Sequence, residues 1–221
     1  MGGPPQPPPV VTLAALYGAG GAVVGPQVAE RLGVPLLGPD LPKLVAARAG
    51  LSPEVVAEVD DEPRRGGRIA NSLGRLSTLT GDSGGSFERL DLHQRTLRAH
   101  IEEYLAGCRA TGGVVLGRGG MVVLQGVPWA LHVHLRGSRE ARVRQGADLF
   151  GVDEAAAARQ QKKEDKARRS YVRSVYGVDG DDPSLYHLAL DSTALDLEVC
   201  ADLIIAAATA RVRHPGQVRA T

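Results

Sequence analysis

At 221 residues and 43% hydrophobic composition the chain can bury one sizeable core, and a net charge of +1 excludes nucleic-acid binding through bulk positive charge. Aromatic residues make up only 4%, which excludes a base-stacking platform. The two cysteines, Cys108 and Cys200, have neither metal-ligand spacing nor a disulfide framework.

Lysine occurs only at Lys43, Lys162, Lys163 and Lys166. Nearly all positive charge is therefore guanidinium, which grips oxyanions in bidentate fashion. No signal segment or long apolar run is evident, so a reducing, cytoplasmic setting without a membrane partner is the expectation.

Residues 1–9, with five prolines and two glycines, are expected to form a disordered lead-in. Val10 to Leu16 reads as a short buried strand. The glycines at Gly18, Gly20 and Gly21 follow, and then Val24, Val28 and Leu32 share one helical face. Strand, glycine turn and helix make a point toward which backbone N–H groups and the helix dipole converge, so an anion is expected at Gly18 to Ala22. A full phosphate loop adds a lysine for the outer phosphates and a hydroxyl for magnesium. Those positions hold Gly21 and Val23, and the first glycine of that pattern is Ala15.

Val34 to Gly38 is a second apolar run, followed by a helix around Leu41 to Ala49 and another opened by Ser52 and Pro53. Residues 62–86 have no periodicity and read as a long loop. Leu90, Leu97, Ile101 and Leu105 define an amphipathic helix between Phe87 and Arg109. Val114 to Leu116 is a buried strand running into Gly117-Arg118-Gly119-Gly120, and Ala130 to Leu135 is another. His132 and His134 share a face of that strand and are expected to be partly exposed, since no third metal ligand accompanies them. Ser138 caps the next helix. Glu154 to Tyr171 forms a long charged helix, read on composition as a solvated face with ion pairs three and four apart. Tyr186 to Leu190 is the last strand and Leu195 to Ala208 the last helix. Strands alternating with helices imply a parallel sheet covered on both faces.

In this order, the glycine turn, the Gly-Arg strand end, the charged helix and the Asp191-Ser192 strand end resemble the cytidylate kinase-like family, a branch of the nucleoside-monophosphate kinases. Thr12 to Gly21 fits that family's I-T-I-S-R-E-Y-G-S-G-G opening, in which the lysine position is also glycine; Ala14, Ala15, Leu16 and Ala22 depart from it. Gly33-Val34-Pro35-Leu36-Leu37 is similar to G-I-P-F-Y. The most specific likeness runs from Asp165-Lys166-Ala167-Arg168-Arg169-Ser170-Tyr171 through Tyr176-Gly177-Val178-Asp179 and Asp182-Pro183 to Leu190-Asp191-Ser192.

The resemblance implies an α/β, P-loop kinase-like parallel sheet flanked by helices. It sets the domain at residues 10–210, with an arginine-rich helical lid at about 154–180 that closes when nucleotide binds, and a tail at 211–221. It implies ATP and Mg2+ as cosubstrate and cofactor, with Gly18, Ala19, Gly20, Gly21 and Ala22 on the donor phosphates. Arg118 and, at a weaker match, Lys43 would hold the acceptor phosphate, and Arg168, Arg169 and Arg173 would close over the transfer site. Asp165 either orients a lid arginine or caps charge on a helix face. Two functions compete. One is ATP-dependent phosphoryl transfer to a nucleoside monophosphate, CMP or dCMP by resemblance; the other is a weak or inactive nucleotide-binding protein of the same fold.

Overall fold

Apolar runs too short for helices condense into strands, and the three central ones are buried on both faces. The computed structural model describes residues 6–38, 40, 41, 45 and 99–214. It divides into one unit of Met1–Pro39 with Leu105–Thr221 and a second of Asp40–Tyr104. In the second unit the described residues include a helical stretch at 99–104. The expected helices at 41–49 and after Ser52, the 62–86 loop, Lys43 and the start of the Phe87 helix lie outside the described residues, apart from helical Leu41 and Val45.

The first unit carries five parallel strands: β1 (Val10–Ala15), β2 (Leu36–Leu37), β3 (Gly113–Leu116), β4 (Leu131–Arg136) and β5 (Leu188–Asp191), in the order β2-β3-β1-β4-β5. Strand β1 is central, as its near-continuous apolar sequence requires of a strand covered on both sides. Its register sets Thr12 beside Val115 on one flank and His132 on the other. The helices, numbered among those described, are α1 (Gly21–Leu32), α2 (Cys108–Thr111), α3 (Gly120–Val123), α4 (Arg139–Phe150), α5 (Glu154–Tyr176) and α6 (Leu197–Arg213). Val24 and Val28 of α1 and Cys200, Ile204 and Ala208 of α6 meet Val11, Leu13, Val133 and Leu135 of the sheet in one core. A smaller cluster joins Tyr17 to Val143, Ala147 and Ala157 of α4 and α5.

Several boundaries differ from the sequence reading for local reasons. Strand β5 starts at Leu188 because Pro183–Leu185 form a single 3-10 turn, capped where the Asp182 carboxylate accepts from Ser184 N at 2.8 Å. Helix α6 continues to Arg213, past the expected domain end at 210, and Arg211 donates to the carbonyls of Ala130 and Pro128. Pro9 is no part of a loose lead-in: its carbonyl accepts from Gly113 N at 2.9 Å.

The turn after β1 is closely packed. Gly18 has φ 73°, and a Cβ there would overlap the carbonyl of Arg142 in α4. Gly18→Ala is expected to lower stability by at least about 2 kcal/mol, from left-handed strain plus overpacking, read as a fall in melting temperature.

Candidate nucleotide-phosphate site

The chain leaves β1 toward one sheet edge, returns to β3, then crosses to β4 and β5. The carboxyl ends of β1 and β3 flank this reversal, where open parallel sheets leave a crevice for ligands. A cavity of about 80 Å³ lies there, lined by Ala14 and Ala15 at the end of β1 and Leu16 after it, Gly117 to Gly119 after β3, His134 of β4, and Arg168, Arg169 and Tyr171 of α5.

Local backbone geometry explains how Arg118 is presented. Gly117, Arg118 and Gly119 are all left-handed, at φ 77°, 56° and 66°. Arginine seldom adopts that conformation, and its persistence means the surroundings fix it. Gly117 N donates to Leu13 O at 2.9 Å, and the Tyr176 hydroxyl donates to Arg118 O at 3.2 Å. The Tyr176 ring lies where any side chain at Gly119 would stand. Both ends of the turn are thus held through backbone groups.

Arg168 reaches the cavity from α5, donating to Ala15 O and pairing with Glu164 one turn back at 3.6 Å. Arg169 pairs with Asp181 at 3.5 Å. Arg173 is exposed and does not line the cavity. Arg118, Arg168 and Arg169 are therefore brought together, whereas Arg173 stands apart.

The glycine turn itself differs from an open cradle. Gly18, Ala19, Gly20 and Gly21 are buried, and Ala22 is exposed. Ala19 N already donates to Leu16 O at 3.0 Å, while a side chain at Gly20 would strike Leu197 of α6. The amides of Gly21 and Ala22 stand in the first turn of α1, where a helix leaves its donors without internal partners. No side-chain cation or hydroxyl enters the turn from Ala15, Gly21 or Val23. Nearby Ser192 donates to Ala19 O at 2.8 Å, and Thr12 is buried against His132. Among the described residues no group of three His, Cys, Asp or Glu side chains could hold a metal ion.

Sequence reading left Arg142 without a role. It is buried, pairs with Asp165 at 2.9 Å, and donates to Tyr17 O at 2.7 Å and Gly137 O at 3.2 Å. Asp165 also accepts from Tyr17 N at 3.0 Å. Two helices thus hold both backbone groups of the residue before Gly18. Asp165 neither orients a lid arginine nor sits on a solvated face; its side chain is 7% exposed. Ala157, Gln161 and Val172 are buried on the same helix, so the solvated reading holds only for the opposite face of α5.

His132 and His134 are buried, not partly exposed, at 3% and 6%. His134 stacks on Tyr186 at 4.6 Å, and His132 on His187 at 4.8 Å while sharing a 2.9 Å hydrogen bond with Thr12. Burial, assisted by His187 and Arg211, lowers the His132 pKa to about 4. Burial also lowers His134 and His187. The Tyr186 phenol is pushed up to about 12 by burial and by Asp181 and Asp179, and it donates to Gly180 O at 2.6 Å.

These histidines have a consequence for acid stability. The unfolded chain takes up protons below about pH 6.5, one of which His132 refuses until about pH 4, so the unfolded state binds more protons and stability falls as pH drops through that window. His132 alone accounts for about 3 kcal/mol. Denaturant unfolding at pH 7 and pH 4.5 should register the loss; equal stability at both would contradict the burial.

An α/β sheet of order β2-β3-β1-β4-β5, a glycine turn after its central strand and arginines from β3 and a long helix at one cavity define a nucleotide kinase-like protein. The family model for the cytidylate kinase-like family matches residues 10–194, and the chain belongs to that family. Among solved structures, an uncharacterized protein from Eubacterium ventriosum is similar at a TM-score of 0.63 and 17% identity, covering 90% of this chain and 98% of that one. A gluconokinase from Sinorhizobium meliloti is similar at a TM-score of 0.46 and 16% identity, over 95% of this chain and 94% of that one. A uronate isomerase from Corynebacterium glutamicum is 32% identical over 94 residues, 42% of this chain; the match spans 18% of that relative's length. No described helix is long and apolar enough to cross a membrane.

Proposed function

We propose that the protein binds a nucleoside monophosphate by its phosphate between Arg118, Arg168 and Arg169 and transfers a phosphoryl group to it from ATP, slowly. The family name suggests CMP or dCMP as acceptor. The observation that carries the reading is that Arg118, Arg168 and Arg169 all line the cavity at the carboxyl ends of β1 and β3. Phosphoryl transfer passes through a state whose negative charge is spread over three oxygens, so positioning and positive charge matter more than a nucleophilic side chain. Arg118, fixed through its backbone, anchors the acceptor. Arg168 and Arg169 supply charge to the group in transit, and the amides of Gly21 and Ala22 face the donor phosphates.

The lid in this account is the carboxyl-terminal part of α5 with its Gly177 and Gly180 exit. Arg173 joins the site only when those last turns close, and Lys43 is the further acceptor-phosphate contact. The half of α5 before Arg168 stays fixed by Asp165 and Gln161. Water excluded by closure would suppress hydrolysis of ATP.

One specific observation favours the second reading, a binding protein with little or no turnover: the donor turn is buried, carries no cation and has Ala19 N already engaged. Thermal-shift titration with a panel of nucleoside monophosphates tests the shared premise. A monophosphate that binds the folded chain raises its melting temperature, and the rise continues logarithmically as its concentration exceeds the dissociation constant. A panel in which none does, and in which the nucleosides behave like their phosphates, would remove the premise of both readings.

A further inference from the structure

The outward side of α6 is unlike that of a solvated helix. Val199, Leu203, Ala206 and Ala210 follow one another at spacings of four, three and four and are all exposed, so they form one stripe along the helix. Leu195, four residues before Val199 and just ahead of the helix, extends it. Of the seven large apolar residues exposed among those described, three fall on this line: Leu195 at 40%, Val199 at 41% and Leu203 at 43%. The opposite side, with Cys200, Ile204 and Ala208, is already buried in the core. The stripe is therefore surplus to the fold.

Its composition changes along its length. Large side chains stand in the first half, and alanines in the second. Charge changes in step: Asp196 and Glu198 are exposed at the start and Arg213 at the end, and the helix dipole adds positive charge to the start and negative to the end. Laid against itself in antiparallel fashion, the helix sets large residues against small and acids against arginine. A parallel pairing would oppose large to large and like charge to like.

We infer that α6 is the contact of a twofold-symmetric homodimer in which two copies of the helix pack antiparallel. Ala206 lies at the axis, where alanine permits close approach, and Leu203 of each copy seats against Ala210 of the other. Val199 covers the aliphatic stem of Arg213, whose guanidinium meets Glu198 or Asp196 across the interface. Such an interface uses the same patch twice and closes on itself. Asp202 lies beside the stripe and already pairs with Arg31 at 2.6 Å, which orients α6 on α1 within one copy.

The test uses the full chain. Light scattering across micromolar concentrations should give twice the 23.2 kDa chain mass. Leu203→Glu, which places a carboxylate against the partner's alanine, should weaken association at least about tenfold with an unchanged circular dichroism spectrum. In Ala206→Cys a mild oxidant should link the two copies through the new thiols, whereas Cys108 and Cys200, both buried, should not cross-link in the unmodified chain. A monomeric unmodified chain overturns the inference. So does a dimer that Leu203→Glu leaves intact, or an Ala206→Cys variant that remains dimeric yet does not cross-link.

Discussion

Arg118→Ala is expected to cut monophosphate binding and phosphoryl transfer together by about a hundredfold, the ~3 kcal/mol that one charged contact to a transferring phosphoryl group commonly contributes. The backbone of the turn should keep its conformation. The reason is local: the turn is held through Gly117 N, Arg118 O and the space under the Tyr176 ring, and none of these uses the Arg118 guanidinium. Alanine also leaves the left-handed strain at φ 56° unchanged. Rates and titrations measured on both proteins check this. An unchanged turnover would mean that the phosphate sits elsewhere, and a large fall in melting temperature would mean that Arg118 is structural.

Asp165→Ala should destabilise the fold by about 3–5 kcal/mol, because it leaves the Arg142 cation buried without its partner and Tyr17 N without an acceptor. Against a total of roughly 5–15 kcal/mol for a natural domain this is a large fraction. For a chain of this length it corresponds to a fall of roughly 10 °C in melting temperature. The double variant Arg142→Met with Asp165→Leu should lose less than Asp165→Ala does, since no charge is then left unpaired. A loss under about 1 kcal/mol, the usual worth of an exposed pair, would show that water reaches the site. Because the pair holds the residue before Gly18, any Asp165→Ala protein that does fold should also lose order at the glycine turn, which hydrogen exchange at Ala19 to Ala22 would detect.

Much of this architecture was legible from short-range signals. Val10 to Ala15 is nearly all apolar, Gly18 and Gly20 stand where φ is positive, and Ser138 caps the helix it opens; each signal needs only a few neighbouring residues. The clamp on Tyr17 was not legible. Asp165 lies 148 residues from Tyr17, and nothing near Asp165 marks its helix face as the buried one among so many charges. The histidines misled for a related reason. Alternation of His132 and His134 with Leu131, Val133 and Leu135 suggests a strand with one wet face. A parallel sheet is covered on both faces, and here His187 and Tyr186 stack on that second face. The candidate site divides the same way. Arg118 follows from the Gly-Arg-Gly-Gly turn, and Arg168 and Arg169 from the lid-like segment. The separation of Arg173 depends on which side of α5 packs inward, and the helix's tertiary contacts decide that.

The central claim is that an arginine cavity does the work of a phosphoryl-transfer site beside a donor turn without a cation. The steady-state rate of phosphoryl transfer from ATP to CMP by the unmodified chain tests it most directly. Measurable transfer is expected, well below the ~1–100 per second of ordinary kinases and cut about a further hundredfold by Arg118→Ala. Transfer at full kinase speed would contradict it, since the buried turn at Gly18 to Gly21 would then be no handicap to the reaction.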